Sequence, residues 1–180
     1  MTLVHIGCGP IHLPGWVNID KEWGHHPDLQ MNCLNLSDVF RRCTVDHIFS
    51  CHMLEHLEWP SGVVNFFQVT IAALKRGGVL RLVVPDLMKV AKLYVEGDDL
   101  KGIYDGPFHE GPDCAATRFM YFCRAWDHQV LFDERLLRML MTDAGFVNIR
   151  VMPFGESDVR ELQGLDRFES ESISIEGMKP

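Results

Sequence analysis

Apolar positions alternate along this chain between two rhythms. Short β-type runs fall at residues 3–6, 16–19, 46–51, 79–84, 147–152 and 172–177, with helical patterns between them. The strongest helical pattern spans about residues 61–74, with Val64, Phe67, Ile71 and Leu74 at helical spacing. Lys75-Arg76 stand where the negative dipole end falls, and Gly77-Gly78 act as terminator. A second helix is predicted over about residues 133–144, with an acidic first turn, Leu136, Leu137, Leu140 and Met141 on its apolar stripe and a stop at Gly145. Strand and helix in alternation imply an α/β fold with a mainly parallel sheet. The last two strands, joined by residues 153–171, read as an antiparallel closing hairpin at the sheet edge.

The gap between the first two strands, residues 7–15, is too short for the usual helical crossover between parallel strands. Pro10, Pro14 and Gly15 lie in it, so a loop or a single turn is predicted there. Residues 21–34 are also poor in helix signals, and the first half of the sheet is expected to be thinly covered on at least one face.

A chain of 180 residues suits one domain, taken as 1–180. No apolar run approaches the roughly 20 residues of a membrane span, and no signal peptide is visible. Six cysteines are scattered without a C-x-x-C pair, which suits reduced thiols and a cytoplasmic protein. The net charge of -8 argues against a nucleic-acid partner, because binding a phosphate backbone needs a basic face. Basic pairs such as Arg41-Arg42 and Lys75-Arg76 read as solvated helix ends.

The candidate chemistry begins at Gly7-Cys8-Gly9. Glycines here let the backbone turn sharply off the first strand and approach a ligand closely. Asp20, closing the second strand, can accept hydrogen bonds from both ribose hydroxyls. By itself the pattern fits a tight turn as well as a nucleoside site. A dinucleotide is disfavoured, because His12 stands where the third glycine belongs and Asp20 arrives early.

Four segments in order, Ile6-Gly7-Cys8-Gly9, Gly15-Trp16-Val17-Asn18-Ile19-Asp20, the run from Asp46 to Leu57 and the run from Leu74 to Leu82, resemble class I S-adenosylmethionine-dependent methyltransferases, in particular the small methyltransferase-11-like family. Ala144-Gly145-Phe146 and the terminal strand extend the likeness over the whole length. The resemblance implies a Rossmann-like fold with seven strands, S-adenosylmethionine as cofactor and methyl transfer as the activity. Gly7, Cys8 and Gly9 would line its methionine and ribose portion, and Asp20 would hold the ribose. Asn32, Cys33 and Leu34 would lie beside the adenine, where relatives carry an acid that this chain lacks; a backbone N–H at Leu34 and the amides of Asn32 or Asn35 remain to contact the ring. Ser50, Cys51 and His52 would end the fourth strand, facing the methyl group. The lid helix that many relatives place ahead of the first strand is expected to be absent or supplied by a neighbouring subunit, as in a homodimer.

His52-Met53-Leu54-Glu55-His56 has H-x-x-E-H spacing, which in zinc proteases sits on a continuous helix. Here it leaves a strand and meets Pro60 and Gly62, so only a short turn fits, His56 reads as capping or packing that turn, and no resident metal is expected. His52 and His128 are the candidate general bases for an acceptor that keeps a proton, with Asp127 able to orient His128; His52 reads equally well as pocket lining. Residues 86–132 form an insertion rich in aromatics, among them Tyr94, Tyr104, Phe108, Phe119, Phe122 and Trp126 beside His109, which the resemblance makes a cap over the acceptor pocket. Asp86 ends a strand where such folds collect polar groups. The acceptor is expected to be a small molecule or a sugar-containing one. A catalytically degenerate methyltransferase-like binding protein is the alternative.

Overall fold

The computed structural model describes residues 1–103 and 112–180. In chain order it places β1 (Leu3–Ile6), β2 (Val17–Asp20), β3 (Leu29–Gln30), β4 (Val45–Cys51), α1 (Ser61–Ala73), β5 (Leu74–Pro85), α2 (Leu87–Val95), α3 (Ala115–Arg124), α4 (Glu134–Ala144), β6 (Val147–Met152) and β7 (Ser172–Met178). The strands form one sheet in the order β3-β2-β1-β4-β5-β7-β6. The first five are parallel, and β7 runs antiparallel between β5 and β6. This is the α/β architecture the alternation of patterns implies.

Several boundaries differ from expectation, each for a local reason. β3 has two residues, too few for a hydrophobic pattern to announce it. β2 starts one residue late, because the Trp16 N–H is held in a turn by the Leu13 carbonyl at 3.2 Å. α1 ends at Ala73, one residue from the expected end, but Gly77-Gly78 do not terminate it: Leu74 is already extended and β5 starts there rather than at Val79. Gly78 instead lies inside β5, where a Cβ would come within 2.7 Å of the Asp46 carbonyl oxygen. Lys75 does not cap α1: its Nζ bonds both Asp46 carboxylate oxygens at 2.8 Å. The cation at the helix end is Lys179, whose Nζ donates to the Leu74 and Ala72 carbonyls at 2.7 and 3.4 Å. The buried stripe of α1 is also rotated from the expected one. Val63, Phe66, Phe67, Thr70 and Ala73 face inward while Val64 is exposed, and Thr70 manages its burial by donating to the Phe66 carbonyl at 2.8 Å.

One face of the sheet carries the main core. Val4, Ile6, Ile48, Leu80, Leu82 and Ile175 pack against Phe66 and Phe67 of α1 and Leu137 and Met141 of α4. α4 is started by Asp133, whose Oδ1 accepts from Leu136 N at 2.7 Å, and stopped by Gly145 in the left-handed region. Among the described residues the opposite core has loops for cover rather than α-helices. There Phe49, Val79 and Val83 meet Leu13 and Trp16 from the short first crossover and Val159, Leu162 and Leu165 from the 153–171 segment.

That first crossover is tied by Asn18. Its side chain accepts from Leu13 N at 2.9 Å and donates to the Leu13 and Trp16 carbonyls and to Asp28. The 153–171 segment is tied by Arg81, which bonds Asp166 through Nε and Nη2 at 2.7 and 2.5 Å and Glu176 through Nη1 at 2.6 Å, all buried. α2 and α3 form a satellite core of Val90, Leu100 and Phe122, and the two ends of this insertion meet where the Leu87 N–H donates to the Phe132 carbonyl at 2.8 Å. Phe119 packs against that core and Trp126 is exposed; Tyr104, Phe108 and His109 lie outside the described residues. All six cysteines are free thiols, and no described helix is long and apolar enough to cross a membrane.

Candidate active site

Chain order reverses between β1 and β4, and ligands of open α/β sheets bind at the carboxyl ends of the strands flanking such a reversal. The register pairs Ile6 with both Ile19 and Ser50, so the residues after β1, β2 and β4 converge. They line a cavity of about 560 Å³ that contains Gly7, Gly9, Asp20, Asn32, Cys33, Leu34 and His52, with Met53 and His56 beside them.

The glycine turn closes on β2. Gly7 N and Cys8 N both donate to the Ile19 carbonyl, at 2.8 and 3.0 Å, and Gly9 N donates to Asp20 Oδ2 at 2.8 Å. Glu22 N holds the other Asp20 oxygen at 2.8 Å. The carboxylate is therefore fixed by backbone donors yet keeps lone pairs for a ligand. Gly7 and Gly9 both have positive φ, +68° and +51°. A Cβ on Gly7 would lie 2.3 Å from Met53 Cγ, whereas one on Gly9 would meet nothing within 4 Å.

At the expected adenine end, Asn32 caps the short helix Cys33–Asp38, its Oδ1 accepting from Leu34 N at 2.9 Å. The N–H that the resemblance offers to the adenine ring is thus already engaged. Cys33 is buried, and burial pushes its thiol up to about 11. Three of the expected cofactor residues, and the candidate base His128, do not line this cavity. Cys8 and Cys51 border a separate void of about 50 Å³ with Phe49, Leu165 and Phe168, their thiols pushed up by burial to about 11 and 12. Ser50 is buried in the sheet, its Oγ without a hydrogen-bond partner among the described residues.

His52 sits at the end of β4 with φ +51°. Its Nε2 shares a 2.8 Å hydrogen bond with Ser172 Oγ, its ring stacks on Phe168 at 4.5 Å, and its Nδ1 lies 3.6 Å from Glu55 Oε1. Burial, helped by the neighbouring His128 and His56, lowers its pKa to about 4. The segment after it makes the short turn expected, a one-turn 3-10 helix over Leu54–His56.

His128 lies far along the chain but arrives beside that turn, because Gln129 N and Val130 N donate to the Glu55 carbonyl at 2.8 and 3.3 Å. Its ring is 5.1 Å from that of His56. Its Nδ1 faces the Phe122 carbonyl at 3.2 Å, so that carbonyl, and not Asp127, orients it. Glu55 and Ser172 escaped the sequence reading. Glu55 is fully buried, neither carboxylate oxygen has a hydrogen-bond partner among the described residues, and burial pushes its pKa up to about 8. Only its place inside H-x-x-E-H marked it in the sequence.

Asp86 plays a different part from the one its strand-end position suggests. Its Oδ1 caps α2, accepting from Met88 N and Lys89 N at 3.0 and 3.2 Å. It borders a larger cavity of about 800 Å³ between α2, α4, β6 and β7, which includes Ser172 but none of the residues at the glycine turn.

No family model matches the chain, and no curated protein does. Solved structures match it over nearly its whole length. A methyltransferase from Archaeoglobus fulgidus described as S-adenosylmethionine-dependent is 11% identical, with 99% of this chain and 86% of that one covered at a TM-score of 0.63. One from Thermotoga maritima, described as a possible histamine N-methyltransferase, is 15% identical, with coverage of 99% and 82% and a TM-score of 0.61. Phosphoethanolamine N-methyltransferase 2 of Haemonchus contortus, solved with S-adenosylmethionine, is 12% identical over 99% of this chain and 48% of its own, at 0.58. The chain has the class I S-adenosylmethionine-dependent methyltransferase fold.

Proposed function

We propose that this protein is an S-adenosylmethionine-dependent methyltransferase of the cytoplasm, acting on a small-molecule or sugar-containing acceptor. The observation that carries the reading is the 560 Å³ cavity at the strand reversal, with Asp20 held open by Gly9 N and free space above Gly9. Its size is that of a small-molecule site. Asp20 would hold the ribose hydroxyls and Gly7 and Gly9 the chain beside them. Asn32 would contact the adenine through its own amide, or release Leu34 N to do so. The cofactor brings an activated methyl on sulfur, whose leaving group needs no acid.

The protein's task is then to align an acceptor and exclude water. The 86–132 insertion, anchored at both ends, would cover the acceptor side. An acceptor hydroxyl needs its proton taken; His52 lines the cavity, His128 packs against His56 beside it, and burial lowers the pKa of both, so either would be neutral and able to accept that proton. To test this, the purified protein is incubated with S-adenosylmethionine labelled in the methyl group and with panels of small hydroxylated compounds and saccharides. Transfer to such a compound, lost in Asp20→Ala, is the expected result. Labelling of protein or nucleic acid alone would overturn the acceptor class.

A further inference from the structure

We propose that Glu55, His56 and His128 form a binding site for a divalent transition-metal ion of the zinc or cobalt class, at the edge of the cofactor cavity. One donor atom from each residue lies within 4.8 Å of the others. Drawing them onto one ion, with metal–ligand distances of about 2.0–2.2 Å, takes side-chain movements of about an ångström.

Four features of the cluster converge. A fully buried carboxyl group with no hydrogen-bond partner among the described residues is costly, and a cation that displaces its proton would compensate it. One imidazole is held from behind: the His128 Nδ1–H donates to the Phe122 carbonyl, leaving Nε2 with the lone pair. Metal-ligating histidines are usually oriented this way, by a backbone carbonyl on the other ring nitrogen. Third, the two halves of the cluster are joined by the Gln129 and Val130 bonds to the Glu55 carbonyl. Fourth, the chain reaches His128 through Trp126 and Asp127 at φ +54° and +62°, a costly backbone for non-glycine residues and the kind found at functional sites.

Two imidazoles and one carboxylate suit zinc or cobalt better than magnesium or calcium, which prefer all-oxygen sites. Three protein ligands leave a coordination position open, the arrangement of catalytic rather than structural metal sites. His52, hydrogen-bonded to Ser172 and 3.6 Å from Glu55, is a positioning residue for the carboxylate. In one respect the inference rests on the methyltransferase reading: the open position would take an oxygen of the acceptor, and a hydroxyl bound there gives its proton to solvent near neutral pH. His128 then acts as a ligand and not as a free base.

The test needs no cofactor. Chelator-stripped full-length protein is titrated with Co²⁺, followed by visible absorption, and then with Zn²⁺ by calorimetry, alongside Glu55→Gln, His128→Ala and the exposed-loop control His26→Ala. Wild type and His26→Ala are expected to bind a single saturable equivalent, with affinity at least about 100-fold weaker in the other two. Circular dichroism establishes that each variant is folded; if Glu55→Gln is not, His128→Ala alone decides. Absence of a saturable cobalt spectrum, or equal affinity in wild type and His128→Ala, would overturn the proposal and return His128 to the role of base. Asp20→Ala separates the two readings, since it should weaken cofactor binding at least tenfold and leave the metal titration unchanged.

Discussion

Gly7 and Gly9 share a positive φ but owe their lack of a side chain to different neighbours. Gly7 backs onto Met53, so Gly7→Ala combines left-handed strain with displacement of a packed side chain, and a loss of about 2–5 kcal/mol in stability is expected. Gly9→Ala is expected to cost only about 1–2 kcal/mol but to lower cofactor affinity at least tenfold, because its methyl enters the cavity. Chemical denaturation and cofactor titration of the two variants check this; equal stability losses with unchanged affinity for Gly9→Ala would contradict it. At this scale the glycines and Asp20 were legible because strand, turn and acid are neighbours in sequence. The Asn32 cap on Leu34 and the contact of Glu55 with His128 were not, since each depends on how a turn is built or on which distant loop docks beside it.

Helix α4 was readable almost to the residue, because Asp133 and Gly145 mark its ends chemically. At the junction of α1 and β5 the pattern marks the helix end to within a residue but not its cause: the chain changes directly from helix to strand at Leu74, the two glycines lie within β5, and the capping cation comes from Lys179. Equally hidden was the Arg81 cluster joining β5, β7 and the 153–171 segment, since a buried arginine looks like any strand arginine until its partners are known. Burial tends to raise the Asp166 carboxyl, but hydrogen bonds from Arg81, Ser174 and Gly155 outweigh it and hold the group below its ordinary 3.8. A depressed carboxyl contributes stability that is complete above its unfolded pKa and is lost as pH falls through the folded value. Arg81→Met removes the cation and leaves Asp166 and Glu176 buried together. A loss of about 3–5 kcal/mol, roughly 10 °C in Tm for a chain of this length, is expected near neutral pH, with the gap from wild type narrowing as pH falls and the two buried carboxyls take up protons. Unchanged melting at neutral pH would show the cluster to be energetically neutral.

For the molecule as a whole, the short crossover between β1 and β2 shapes both the fold and the site. It leaves one sheet face to loops, stapled by Asn18 and Arg81, and it brings Asp20 up against the glycine turn, where Gly9 N fixes its carboxylate. The fold class and the position of the cavity followed from strand order and spacing. The cluster of Glu55, His56 and His128 beside it did not, because it is assembled from H-x-x-E-H and the end of the insertion, which only the folded chain brings together. The most direct test of the account is calorimetric titration of the full chain with S-adenosylmethionine and S-adenosylhomocysteine, for wild type and Asp20→Ala. Saturable micromolar binding that weakens at least tenfold in Asp20→Ala, a loss of about 1.4 kcal/mol or more, is the expected result. A well-folded wild-type protein that binds neither compound, or an Asp20→Ala variant that binds as tightly as wild type, would contradict it.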